Sequence, residues 1–588
     1  MLLIEYFKAL CYDKENLPGG GSMEIRKKLE LMETSLGAEA PDLVLKNAGI
    51  VDVYTETLFT ADIAIRGGYI AGVGAYSGAR ETDLTGKTVA PGFIDAHVHI
   101  ESSMVSPRLF AEKVLPCGTT TVIADPHEIA NVCGLDGIRY LLEDSENCGL
   151  NVYFVLPSCV PLNESDHNGG VFGTEQMKEL VENPRVVGLG EVMNYGAAVS
   201  GDRGLLEKIA LLEPKTIDGH SPGLTGKGLQ AYRLAGVDTD HECGDYPSAL
   251  ERLRAGFIVQ IRQGSAAKNL TEILTGALRD GISLDRCVFC TDDVHLDDIV
   301  RRGHINNNIR MAINLGLNPV KAIKLATLNA ARAYGLTDVG AVAPGCRADL
   351  VVLDSLNDLS ISDVYKGGVS IRDMRYSGER TEAAGRILHS VHIPELTEGC
   401  FALRMEGEFP VMGVMPGQIT TKKLMLRLPA KDGLFTPRDD LLKIAVVQRH
   451  DGSGRIGLGA VEGFGLKNGA IASTVAHDAH NLIVIGDNDA DMRAAVAELQ
   501  ACGGGYAIVR EGKTVKTLPL PVAGLFTDNC DTDMIRELKE MTEAAHRMGV
   551  PEDIDVFQNL SFLSLPVIPE LRITDSGLFD VSANEFIK

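Results

Sequence analysis

The chain has 588 residues, too many for one core, and its 45% hydrophobic and 23% charged content is that of an ordinary globular protein of two to four folding units. Its 56 basic and 80 acidic side chains leave a net charge of −24, which repels phosphate backbones and anionic lipid and argues against nucleic acid or a membrane surface as partner. No run of about 18 apolar residues offers a membrane span. The 12 scattered cysteines, with no signal peptide ahead of them, read as reduced thiols in a cytoplasm.

Residues 1–41 read as an N-terminal arm without assigned function, with the Pro18–Ser22 run as a flexible linker. From Asp42 the runs LVLKNAGIVDV, ADIAIRGGYIAGVG and GKTVAPG predict strands of a small sheet. A similar composition returns in GAVAPGCRADLVVLD and VSIRDMRYSG, so residues 42–90 and 336–397 are expected to form one small β-sandwich-like domain built from both flanks.

Between them, residues 91–335 alternate β-type runs (TTTVIADP, NVYFVLPSC, VVGLGEV, TIDGHS, GVDTDHE, FIVQIRQG, CVFCTDD) with helical patterns such as RLFAEKVLPCG and NLTEILTGALRDG. About eight β-then-α units in this length predict a (β/α)8 barrel, whose active site sits where the strands run out. Residues 398–588 change character and predict a C-terminal α/β domain. Within it NDADMRAAVAELQACGGG reads as a helix, and Gly503–Gly505 as its stop rather than as a phosphate loop. The fold class is therefore α/β.

Polar residues gather at the ends of those strands. His97 and His99 are two apart in AHVHI, so both imidazoles point to one side of a strand, a geometry that suits Zn, Mn or Fe. Glu191 ends VVGLGE, His220 ends TIDGH, His241 ends GVDTDH, Asp292 ends CVFCTD, and Asp125, His127 and Glu128 follow TTTVIA. So many ionisable groups in a barrel interior are costly to bury unpaired, and a cation is the natural compensation.

The run PGFIDAHVHIESSM resembles the first-strand signature of the amidohydrolase superfamily. Together with DPHEIANVCG, GLGEVMNY, DGHSPGL, TDHE, CTDD, ATLNAARAYGL, STVAHDAHN and LSFLSLPVIPEL it is similar to the adenine deaminase family, over most of Leu43–Phe579. Gln263 and Tyr195 depart from that family's usual Glu and Phe.

The resemblance implies hydrolysis of adenine to hypoxanthine and ammonia in purine salvage. It also implies two divalent metals per subunit, Mn or Fe first and Zn third. His97, His99, Glu191 and Asp292 would hold one, and Glu191 would bridge to a second held by His220 and His241. No lysine lies between Val186 and Asn194 to act as the carboxylated bridge found in hydantoinase-like relatives.

On this reading Asp292 moves the proton of the attacking water, and either Glu242 or Glu101 protonates the purine N1. Asp125, His127 and Glu128 are expected to orient ligands, contact substrate or stabilise a turn around Pro126. Arg262 would orient a carboxylate at the barrel mouth or simply be paired there. Ser221 is a substrate contact or a turn residue. His477, Asp478 and His480 either reach the site from the C-terminal domain or form a turn between two strands. The small molecule adenine is the expected partner, with a homodimer as the default assembly. Two alternatives stand: a deaminase or amidohydrolase acting on a related aminopurine or cyclic amide, and a retired, oligomerising scaffold. The scaffold should have lost ligands, and all six ligand positions are intact.

Overall fold

The computed structural model describes residues 21–162, 167–265, 267–374, 381, 385–405, 407–530 and 532–587. Most of the Pro18–Ser22 run lies outside them, and the rest corrects the linker reading: Gly21 and Ser22 open a helix, Gly21–Ser35. That helix packs on the small sheet, where the Lys27 ammonium sits 3.1 Å from the centre of the Tyr69 ring.

The small sheet begins with β1 (Leu43–Asp52), β2 (Thr57–Arg66), β3 (Tyr69–Gly74), β4 (Glu81–Asp83) and β5 (Thr88–Pro91). One residue later the chain enters the barrel. Its strands are β6 (Phe93–His99), β7 (Thr119–Ala124), β8 (Asn151–Leu156), β9 (Val186–Val192), β10 (Thr216–Gly219), β11 (Thr239–Asp240), β12 (Ile258–Arg262), β13 (Cys287–Cys290) and β14 (Asp292–Asp293). Afterwards it returns to the small sheet as β15 (Leu350–Ser355), β16 (Ser360–Lys366) and β17 (Val369–Ser370). The two flanks meet where β15 pairs antiparallel with β5, with Val351 opposite Ala90, in the order β17-β16-β15-β5-β1-β2-β3.

Every barrel ladder is parallel. β10-β9-β8-β7-β6-β14 form one run and β11-β12-β13 another, and β14 closes the ring by pairing Asp292 with Val98. The strands β6, β7 and β9 are buried along their length, as parallel strands covered on both faces must be. β13 and β14 are one strand broken at Thr291, after which Asp292 takes φ 61°, a conformation costly for a residue with a Cβ and concentrated at functional sites. Cys287 and Cys290 show a C-x-x-C spacing, yet both are buried free thiols on β13, and burial pushes Cys287 up to about 12.

The C-terminal unit is built on an eight-stranded sheet between residues 409 and 519. Its side chains alternate with period two. Ala445, Val447, Leu482 and Val484 face helix Asp489–Cys502, while Ile444, Val446, Ile483 and Ile485 share a core with helices Met534–Arg547 and Val556–Phe562 and with barrel residues. The glycine stop is in place, since Gly503 adopts φ 84° after Cys502. Residues 385–397, grouped by sequence with the small sheet, pack here instead. Ile393 is buried against this sheet's helix-covered face, and His392 N–H donates to the Arg449 carbonyl at 2.6 Å. Among the described residues no helix is long and apolar enough to cross a membrane.

Candidate metal centre and its roof

Because His97 and His99 alternate with buried Val98 on β6, both rings enter the barrel mouth. Their Nε2 atoms lie 3.2 Å apart and 3.2 and 2.9 Å from Glu191 Oε1. Asp292 Oδ1 stands 3.1 Å from His99 Nε2 and 3.9 Å from His97 Nε2. The other oxygen of Glu191, Oε2, faces His220 Nδ1 at 2.5 Å and His241 Nε2 at 3.3 Å. Each oxygen of one carboxylate thus addresses its own pair of imidazoles, the arrangement of a carboxylate able to bridge two cations.

The donor set fits metal. Separations of 2.9–3.3 Å between ligand atoms are those of groups sharing an ion at about 2.0–2.2 Å. Neither ring nitrogen of buried His241 has a hydrogen-bond partner among the described residues. Burial opposes charge on His97, yet Asp218 and Glu191 push its pKa up to about 10. Glu242 and Glu191 likewise lift His220 to about 9. Burial alone would raise Glu191, but the surrounding histidines draw it well below the usual carboxylate range. A site that holds protons this strongly is one whose negative potential a divalent cation would satisfy.

Neighbouring groups fix the ligands. His99 Nδ1 donates to the Asp125 carbonyl at 3.0 Å, which leaves Nε2 as the lone-pair nitrogen facing Glu191. The Asp125 carboxylate accepts the N–H groups of Glu191 at 2.9 Å and His127 at 3.1 Å. Arg262 Nη1 bridges Glu242 Oε1 at 2.5 Å and Asp292 Oδ2 at 2.6 Å, holding Asp292 well below the usual range despite its burial.

A second carboxylate cluster ties the C-terminal unit to the barrel. The turn His477–His480 leaves strand Ala470–Ser473, and Glu128 accepts from His477 Nδ1 at 2.6 Å and from His480 Nε2. His480 Nδ1 itself accepts the Ala476 N–H at 3.1 Å, so the ring proton is on Nε2. Burial lowers His480 to about 4, and Glu128 lifts His477 to about 9.

A chamber of about 280 Å³ opens above Glu191, His220, His241, Glu242 and Asp292. It is roofed by Ile419, Thr420, His477, Asp478, Phe562, Leu565 and Ile568. Behind the Glu128–His477 wall lies a second chamber of about 560 Å³, largely apolar. Glu242 lines the first chamber and Glu101 only the second, where burial pushes the Glu101 carboxyl up to about 7.

All six expected ligands therefore converge, with Asp125, His127, Glu128, Arg262, His477 and Asp478 around them. His480 is at the wall rather than in the first chamber. Ser221 is not a chamber residue: its hydroxyl donates to Asp240, which pairs with buried Arg252 at 2.8 Å.

Sequence reasoning missed Asp218, which lies 3.4 Å from His97 Nδ1 and accepts from Tyr334 at 2.8 Å. It also missed Asp95, which accepts the Thr291 N–H at 3.0 Å beside Asp292. Both precede a ligand histidine by two positions on a strand, and that spacing was the available signal. The apolar roof carried no comparable mark.

Three protein families match the chain. They are the amidohydrolase family over residues 88–371, the adenine deaminase C-terminal domain over residues 418–585, and the urease alpha-subunit N-terminal domain over residues 2–89. An adenine deaminase of Desulfitobacterium hafniense (strain Y51) is 45% identical over 95% of this chain and 98% of its own length. One of Clostridium acetobutylicum is 44% identical over 95% and 99%. Among solved structures, one described as an adenine deaminase aligns with TM-score 0.44 and 19% identity over 56% of this chain and 99% of that one. At such identity over nearly full length, the chain belongs to the adenine deaminase family of metal-dependent amidohydrolases.

Proposed function

We propose that the chain hydrolyses adenine to hypoxanthine and ammonia, and that its centre takes two divalent cations, Mn or Fe before Zn. The observation that carries this is Glu191, whose two oxygens each face a histidine pair, with no lysine between Val186 and Asn194 to serve as bridge. His97, His99 and Asp292 would hold one ion with Glu191, and His220 and His241 the other. Cations held there would supply the acidity that lowers the pKa of water from about 15.7 towards 7.

The chain's own residues do the rest. Asp292, oriented by Arg262, takes the proton of the attacking water and passes it to the departing amine. On this reading Glu242, which lines the chamber 3.8 Å from His220 Nδ1, serves purine N1, and Glu101, which lines the second chamber, does not. Asp125 holds the backbone of Glu191, and the C-terminal roof excludes water from the ring. The cytoplasm is the proposed compartment, in keeping with eleven described cysteines that are all free, and a homodimer the default assembly.

The test is metal-reconstituted protein incubated with adenine, adenosine and cytosine, following ammonia and hypoxanthine. Turnover of adenine alone is expected. Full metal loading without adenine turnover would move the substrate to another aminopurine or cyclic amide.

A further inference from the structure

The polar side chains of the metal chamber are almost all committed. Glu191 faces four imidazoles, Asp292 and Glu242 share Arg262, and Glu128 holds His477 and His480. Asp293 accepts from Ser102, and the Thr420 hydroxyl donates to Gln418 at 3.1 Å. Asp478 differs. It is 7% exposed and lines the chamber from the roof, and its Oδ2 has no hydrogen-bond partner among the described residues. A buried carboxyl oxygen without a partner is destabilising by itself, so a ligand that supplies a donor is its natural complement.

The orientation of a purine follows from the chemistry at the floor. C6 must face the centre and N1 must face Glu242, which turns the opposite edge, N3 and N9, towards the roof. On that edge a free base offers one donor, the N9–H. The roof otherwise presents apolar surface from Phe562, Leu565, Ile568 and Ile419, suited to a planar ring and offering it no hydrogen bond.

Resting on the proposed adenine reaction, we infer that Asp478 accepts the N9–H of the base and thereby restricts the enzyme to aminopurines unsubstituted at N9. A nucleoside or an N9-alkyl purine has lost the donor and carries a substituent pointed at Asp478. A site built to hydrogen-bond a substrate N–H rejects analogues lacking it by up to about 10⁴–10⁵, because its own polar group is then left unpaired.

The experiment compares adenine with 9-methyladenine on the metal-loaded enzyme and on Asp478→Ala and Asp478→Asn, with metal content and Tm recorded for each. Alanine is expected to raise KM for adenine by about 10–100-fold with a smaller change in kcat. It should also narrow the preference for adenine over 9-methyladenine by at least tenfold, and asparagine, whose amide oxygen still accepts, should restore most of it. An alanine variant with wild-type metal content and an unchanged preference overturns the inference, as does a parallel loss on both substrates. On the wild-type enzyme alone, purine should inhibit at least tenfold more tightly than 9-methylpurine, and equal inhibition also overturns it. Wild-type turnover of adenine separately checks the reaction itself, so failure of the function and failure of the Asp478 assignment remain distinct.

Discussion

Glu191, on strand β9, and Glu128, on the helix His127–Cys133 that follows β7, are both buried carboxylates ringed by imidazoles at one barrel mouth, and the structure prepares them for opposite tasks. Beside Glu191, the His99 ring is anchored on its far side: it donates Nδ1–H to a backbone carbonyl, so its Nε2 meets the carboxylate as a lone pair. Around Glu128 the far nitrogen of His480 accepts a backbone N–H, so Nε2 must arrive carrying a proton. To bind metal as well, that ring would have to be an imidazolate. The residue types are the same in both clusters, and one backbone partner decides whether a His–carboxylate group is a cation site or a hydrogen-bonded clasp.

The largest effect should come from breaking the first cluster at its centre. Glu191→Gln cannot bridge two cations, and is expected to lose at least one metal equivalent by elemental analysis and nearly all turnover; two retained equivalents would contradict the bridge. Asp292→Asn is expected to keep most of its metal and lower kcat by about 10²–10⁴, the range of a lost proton-transfer group. Substantial activity in that variant would end the role given to Asp292.

Next in size, Glu242→Gln should cut kcat by about 10²-fold and Glu101→Gln by less than tenfold, since only Glu242 shares the chamber with the metal ligands. Reversed magnitudes in steady-state assays would exchange the two carboxyls.

Glu128→Gln sharpens the comparison most directly and should change least: metal content stays at the wild-type level while Tm drops by several degrees. Its pH signature has a definite sign. The folded protein raises His477 to about 9 from an ordinary value near 6.5. The stabilisation from its pairing with Glu128 is therefore complete below about pH 6.5 and disappears as pH rises through about 9. Thermal melts between pH 6 and 10 should show that loss in the wild type and a flatter profile in Glu128→Gln.

The first cluster was legible in the sequence because strand geometry converts spacing into direction. His97-x-His99 on β6 had to place both rings on one side, and the charged ends of VVGLGE, TIDGH and CVFCTD had to meet where parallel strands end. The alternation of strands and helices likewise announced the barrel. The Glu128 cluster was half legible: His477-Asp478-Ala479-His480 stood out, but its partner lies some 350 positions earlier, and no periodicity spans that distance. Ser221 showed the reverse, a polar residue beside a ligand whose hydroxyl turns away to a buried Asp240–Arg252 pair. The helix Gly21–Ser35 was hidden by its opening Gly-Ser, which taken locally suggests a linker.

The barrel side of the chamber is finished by Asp293, one residue after the last expected ligand, whereas its roof begins only at Ile419 and is completed by Pro569. During synthesis at about 5–20 residues per second, on the order of ten seconds therefore separate emergence of the last ligand from emergence of the first roofing residue. The residues that would hold an ion are thus all made before any residue of the roof, so filling the centre and enclosing a substrate are steps that the order of synthesis keeps apart.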